Sequence, residues 1–365
     1  MSIRKLPAIL LFISIAFTVN TRAQQSTPKQ SDSRQAMPPS ASEPSVFLPP
    51  TSDAKTESSV QSEDWNTLSI RPLHMYAMPP TIVERDTLPT YKRDVVRLLW
   101  RNGDPIDLFI YTPVNIAKAP AILYLYSYPS DVTRFQDAGW ATRATSNGFA
   151  AIGFVSALTG ERYRSRPMKE WFVSDLQEAL GTSVHDVQMI LDYLATRQDI
   201  DMSRIGMFGQ GSGGAIAVLA AQADSRIQAL DLMNPWGDWP DWLKNSRQVP
   251  DEERPAYLTP EFAAKLVNLD PIAYLPQLKV KSLRIQQVMD DAATPKAAMD
   301  RIAAAAPVPS DVARFHDSGA HFEAMHTVGV SGWLKGQLQM QSAPTVDKSQ
   351  PQRVAGIGTI TAKGQ

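Results

Sequence analysis

Three short stretches hold side chains that could act together on an acyl carbon. Residues 204–221, RIGMFGQGSGGAIAVLAA, set Ser212 among glycines where an apolar run gives way to small residues. Residues 282–295, SLRIQQVMDDAATP, end a second apolar run on Asp290 and Asp291, with Pro295 close behind. Residues 315–324, FHDSGAHFEA, carry His316 and His321. A hydroxyl, a carboxylate and an imidazole are the groups that nucleophilic catalysis uses as attacking group, orienting acid and base. Asp290 and Asp238 are alternative carboxylates, and a solvated surface turn is the plain reading of the 290–291 pair. His326 also flanks His321, while His185 falls within a long helical pattern, where a satisfied, partly buried histidine is expected.

Elements able to position these groups run from residue 92 to 340. Apolar strands alternate there with helical patterns, which predicts an α/β architecture with a mostly parallel sheet covered on both faces. Val95–Trp100 and Asp107–Tyr111, joined by Asn102-Gly103-Asp104, read as an opening hairpin. Ala121–Tyr126, Phe149–Val155, Arg204–Gln210, Ala229–Met233 and Ser282–Val288 read as further strands. Thr133–Asn147 reads as helix, closed by Gly148. Ser183–Thr196 puts Val184, Val187, Ile190, Leu191 and Leu194 on one helical face, and Gly213–Ala223 is a small-residue helix. Residues 240–270 are charged, carry prolines and suit a short, partly helical insertion over the site.

The stretch 204–221 resembles the strand, nucleophile elbow and helix of α/β-hydrolases, whose motif is G-x-S-x-G. Gly209 and Gly213 match the outer glycines and Gln210 and Ser212 the x positions, so Gly211 stands at the nucleophile. Taking Ser212 as nucleophile instead puts Gln210 at an outer-glycine position and needs an extra residue in the turn. The elbow holds its central residue at positive φ, a cost of about 1–3 kcal/mol that glycine largely escapes. Asp291, with Pro295 four residues on, matches the family's acid, and His321 its histidine, in the family's chain order. The resemblance implies an oxyanion hole from the amide after the nucleophile, here that of Ser212. LYLYSYPS is similar to the tyrosine-bearing loop of prolyl-oligopeptidase-like members, which makes Tyr126 the candidate second donor. An amphipathic aromatic closing a strand is the other reading of Tyr126.

The implied fold is therefore the α/β-hydrolase fold, of the prolyl-oligopeptidase or dienelactone-hydrolase-like kind. The implied activity is hydrolysis of a carboxylic ester or peptide bond. Gly211 implies the alternative, a non-catalytic descendant that binds a ligand or partner in the retained pocket. Asn234 to Trp242, NPWGDWPDW, puts Trp236 and Trp239 where they line that pocket for a sugar, peptide or ester, or anchor the insertion to the core. Arg162, Arg164 and Arg166 read as a solvated basic face.

The remaining composition narrows the class. Arg4, Lys5 and the apolar run Leu6–Val19 before Thr21-Arg22-Ala23 predict a signal peptide over 1–23, with a secreted or periplasmic product. A retained anchor is the alternative, though the run is short for a bilayer. Residues 24–60 hold nine serines and six prolines and read as a disordered linker, and 341–365 as a disordered tail. Residues 61–340 form the domain, with no later stretch long enough to span a membrane. Basic and acidic residues number 36 and 37, so no overall field favours nucleic acid. With no cysteine there is no disulfide, thiolate metal site or cysteine nucleophile. No metal or other cofactor is expected.

Overall fold

The structure is a computed structural model that describes residues 63–75, 77–159 and 175–339. The expected signal peptide, linker and tail, and the three arginines 162, 164 and 166, lie outside the described residues. Strands β1 (Thr81–Thr87), β2 (Tyr91–Arg101), β3 (Asp104–Pro113), β4 (Ala119–Leu125), β5 (Ala150–Gly153), β6 (Ile200–Gln210), β7 (Ile227–Met233), β8 (Ser282–Val288) and β9 (Asp311–Phe315) form one sheet. Their order is β1-β2-β3-β5-β4-β6-β7-β8-β9. The first three run antiparallel, β3 meets β5 antiparallel, and every pairing from β5 to β9 is parallel. All six parallel strands therefore end at one edge of the sheet, where open α/β sheets bind ligands.

Helices cover both faces, because the central strands are apolar on both sides. On one face Tyr124 and Phe208 pack with Trp140 and Leu334. These belong to α2 (Ala138–Thr145), which follows the short α1 (Thr133–Gln136), and to α10 (Ser318–Gln339). On the other face the neighbouring Leu123 and Met207 pack with Val187 of α3 (Leu176–Ala195) and Ile216 of α4 (Ser212–Ala223). The insertion holds α5 (Trp239–Asn245), α6 (Arg254–Tyr257), α7 (Pro260–Leu266) and α8 (Pro271–Tyr274), and α9 (Lys296–Ala305) follows β8. All four helices of the insertion have proline in the first turn, where the missing amide hydrogen costs nothing.

Two expectations needed correction in detail. The helix expected over 133–147 is two, because Asp137 at ψ 119 leaves the helical region and its carboxylate caps the amide of Trp140. The helix expected from 183 begins at Leu176, whose first turns are as buried as the rest.

Candidate active-site cleft

The centre of the edge is the junction of β6 with α4. Gly211 has φ 53 and ψ −116, the left-handed region that ordinary residues avoid. Its amide donates to Met233 O at 2.9 Å, and its carbonyl accepts from Gly214, Ala215 and Trp236. Backbones crowd on either side: a Cβ on Gly209 would lie 2.5 Å from Gly213 O, and one on Gly213 would strike Leu125 O. The sharp turn thus needs small residues where the sequence places them.

The space beside the turn is already filled. A Cβ at Gly211 would lie against the hydroxyl of Ser127, 2.7 Å from Ser127 Cβ and 3.1 Å from Trp236 Nε1. Ser127 follows β4 and was not among the expected site residues. Nothing in its spacing singles it out, since only the approach of two strand ends places it there.

Ser212 lies one residue into α4, is wholly buried, and accepts a hydrogen bond from the Tyr128 amide at 2.9 Å. It fastens the loop after β4 to the helix. Asp291 accepts from the amides of Ala293 and Thr294, each at 3.2 Å, closing the turn that leads to Pro295 and α9. Asp290 is exposed beside it. Asp238 is paired with Arg301 of α9. His316 is exposed and paired with Asp317 at 2.8 Å, and the side chain of His326 lies outside the described residues. His185 is fully buried, with Nδ1 on Glu63 and Nε2 on Thr67 O, the satisfied histidine that its helix predicted.

His321 is held by a different partner from the one expected. Its Nε2 lies 3.2 Å from Gln286 Oε1, and its ring meets Phe315 edge-on. Gln286 Nε2 donates in turn to Asp231 Oδ1 at 2.8 Å, and Asp231 also accepts from Nε and Nη2 of Arg284 at 2.9 and 2.6 Å. An ionised Asp231 can only accept, so the amide of Gln286 must present its oxygen to the histidine. His321 then carries its proton on Nε2 and leaves Nδ1 as the basic nitrogen. Burial holds its pKa below the ordinary histidine value, Asp231 acting the other way and Arg284 reinforcing it. Burial pushes the Asp231 carboxyl up, against the pull of Arg284 and Gln286. No hydrogen bond among the described residues joins Ser212, Asp291 and His321 to one another.

No family model matches the sequence. A stretch of 52 residues is 46% identical to the α/β hydrolase domain-containing protein WAV2 of Arabidopsis thaliana, covering 14% of this chain and 17% of that protein. Solved structures align over far more. An acetyl xylan esterase from Paenibacillus sp. R4 matches 72% of this chain and 89% of its own, with TM-score 0.54 and 17% identity. The acylaminoacyl peptidase of Pyrococcus horikoshii matches 70% of this chain and 41% of its own, with TM-score 0.50 and 15% identity.

The chain has the α/β-hydrolase fold.

In this fold the elbow opens into two cavities. One, of about 400 Å³, is lined by Ser127, Gly211, Asn234, Trp236, Asp290 and Asp291 among others. The other, of about 680 Å³, lies over Tyr126, Arg134, Trp140 and Arg143. Ser127 and Gln210 line both. Tyr126 accepts from Trp140 Nε1 at 2.8 Å and carries Arg134 over its ring at 4.0 Å. Burial pushes its phenol pKa up, so the hydroxyl keeps its proton. It faces the second cavity and is not among the groups lining the one beside Gly211. Trp236 and Trp239 are 1% and 2% exposed. Trp239 donates to Leu269 O at 2.8 Å and meets Trp242 edge-on, so it braces the insertion from within, while Trp236 closes the wall beside Gly211. Among the described residues no cluster of three or more His, Cys, Asp or Glu could hold a metal ion, and no helix is long and apolar enough to cross a membrane.

Proposed function

We propose that this protein binds a small ester, peptide or sugar in the cleft at the elbow and does not run the serine acyl-transfer reaction of its fold. The observation that carries this reading is Gly211, in elbow geometry, with Ser127 filling the space of the absent side chain. The commitments of Ser212 to Tyr128 and of Asp291 to its own turn support it. A fluorophosphonate serine probe and a p-nitrophenyl ester test it together: neither labelling nor turnover is expected from the wild type.

A second reading has one specific observation behind it. The Ser127 hydroxyl stands where the missing nucleophile would be, so a carboxylic ester or peptide hydrolase acting through Ser127 would be labelled, and labelling would vanish in Ser127→Ala. Labelling that vanished in Ser212→Ala would instead favour the hydroxyl beside the elbow. We also propose export, on the pattern of residues 1–23. Mature material beginning at Gln24 is expected by mass, and retention of Met1 in the exported protein would refute cleavage.

A further inference from the structure

We infer that the cavity over Tyr126 is a subsite for a carboxylate of the ligand, received by Arg134; this rests on the binding role proposed for the cleft. Arg134 lies with its guanidinium 4.0 Å from the centre of the Tyr126 ring. Stacking of this kind fixes the plane of the fork and leaves its edge donors for a planar anion. Tyr126 is itself held by Trp140 Nε1, so the platform is built before a ligand arrives.

The cavity also contains carboxylates, and their commitments decide what charge it offers. Asp131 accepts from the amide and hydroxyl of Thr133. Asp137 caps the amide of Trp140, with Arg143 at 3.9 Å. Arg134 is in no ion pair among the described residues, so its charge faces the cavity without a carboxylate partner. The neighbouring cavity is the more negative of the two, since Asp290 and Asp291 line it with no Lys or Arg, whereas Arg134 and Arg143 balance Asp131 and Asp137 in the cavity over Tyr126. An elongated acid therefore has one favourable direction. Its carboxylate sits on Arg134, its body passes Ser127 and Gln210, and its uncharged or hydroxylated end lies beside Gly211. The reverse direction sets an anion against two aspartates.

Isothermal titration of the whole protein with N-acetyl-L-phenylalanine and with its C-terminal amide tests this directly. The pair differs only at that terminus, a carboxylate against a neutral amide, and the aromatic ring suits a wall of Tyr126 and Trp140. A charge-assisted bond to Arg134 predicts that the acid binds about tenfold more tightly than the amide. That preference should shrink as salt is raised. Arg134→Gln should weaken the acid and leave the amide unchanged, bringing the ratio to one. Equal affinities in the wild type, no binding of the acid, or equal weakening of both ligands in Arg134→Gln would each overturn the assignment. Serine labelling of the wild type would sink the non-hydrolytic reading while leaving the acid-to-amide ratio as it was, so the two failures are distinguishable.

Discussion

The side chain of Ser127 stands in the volume that any side chain at Gly211 would need. The two residues belong to different strand ends, and parallel pairing of β4 with β6 sets Leu125 beside Gly209 and so brings both turns together. A glycine in the left-handed region and a serine folded over it are two halves of one arrangement. Each makes the other permissible, and on the reading proposed above together they remove the usual place for a nucleophile.

This mutual dependence is measurable as coupling. Gly211→Ala should destabilise by about 1–3 kcal/mol from its backbone conformation, with roughly 1–3 kcal/mol more from crowding against Ser127. Adding Ser127→Gly should return part of the crowding cost and none of the backbone cost. Urea unfolding of the two single variants and the double variant would show a coupling of about 0.5 kcal/mol or more. Strict additivity would mean that Ser127 swings aside freely.

Ser212 should behave as a structural residue. Its hydroxyl is the acceptor for the Tyr128 amide in a fully buried position. Ser212→Ala should cost about 1–3 kcal/mol, the usual penalty for removing a buried partner. Ligand affinity, referred to the folded fraction, should hardly change. A variant of unchanged stability would show that the amide finds another acceptor.

The tautomer of His321 follows from Asp231 two hydrogen bonds away. Nitrogen shifts at about pH 7.5 should show a protonated Nε2 and an unprotonated Nδ1, above the unperturbed histidine pKa of about 6.5. Burial places the folded pKa lower still. Between that folded value and about 6.5 the unfolded chain binds more protons than the native one. Stability from this group is therefore full above about pH 6.5 and is lost as pH falls through the folded pKa. A protonated Nδ1 at pH 7.5 would break the proposed orientation of Gln286.

Much of the fold was legible because buried parallel strands are continuous apolar runs, and β8 spans the very residues that SLRIQQV suggested. The edges were not. All seven residues of β1 are exposed, so Thr81–Thr87 lacks the apolar signal that marks a strand. β9 is exposed or half-buried throughout and was equally silent. At the site, Gly211 was legible because the elbow is a local turn with its own residue pattern. Ser127 and Gln286 were not, since their importance comes from contacts with residues 84 and 35 positions away. Asp291 shows the converse problem. Its D-x-x-x-P spacing is real, and what it does here is close a turn before a helix, which the same residues serve equally well.

On the non-hydrolytic reading proposed above, a serine placed at position 211 should not by itself support acyl transfer. Gly211→Ser combined with Ser127→Gly removes the contact with Ser127 and leaves a hydroxyl at the elbow. A nucleophilic serine also needs a base within hydrogen-bond reach and a carboxylate to orient that base. Here Gln286 holds Nε2 of His321, leaving only Nδ1 as a base, and Asp291 gives both oxygens to its own turn and not to the ring. The double variant is therefore expected to fold, with a stability loss of about 1–3 kcal/mol from the backbone at position 211. It should remain unlabelled by a fluorophosphonate probe. Adding Gln286→Leu would release Nε2 of His321 and test whether the histidine alone is what the rebuilt site lacks. Labelling that appears already in the double variant would show that His321 reaches position 211 without that change, and that the loss of the serine was the single step separating this cleft from catalysis.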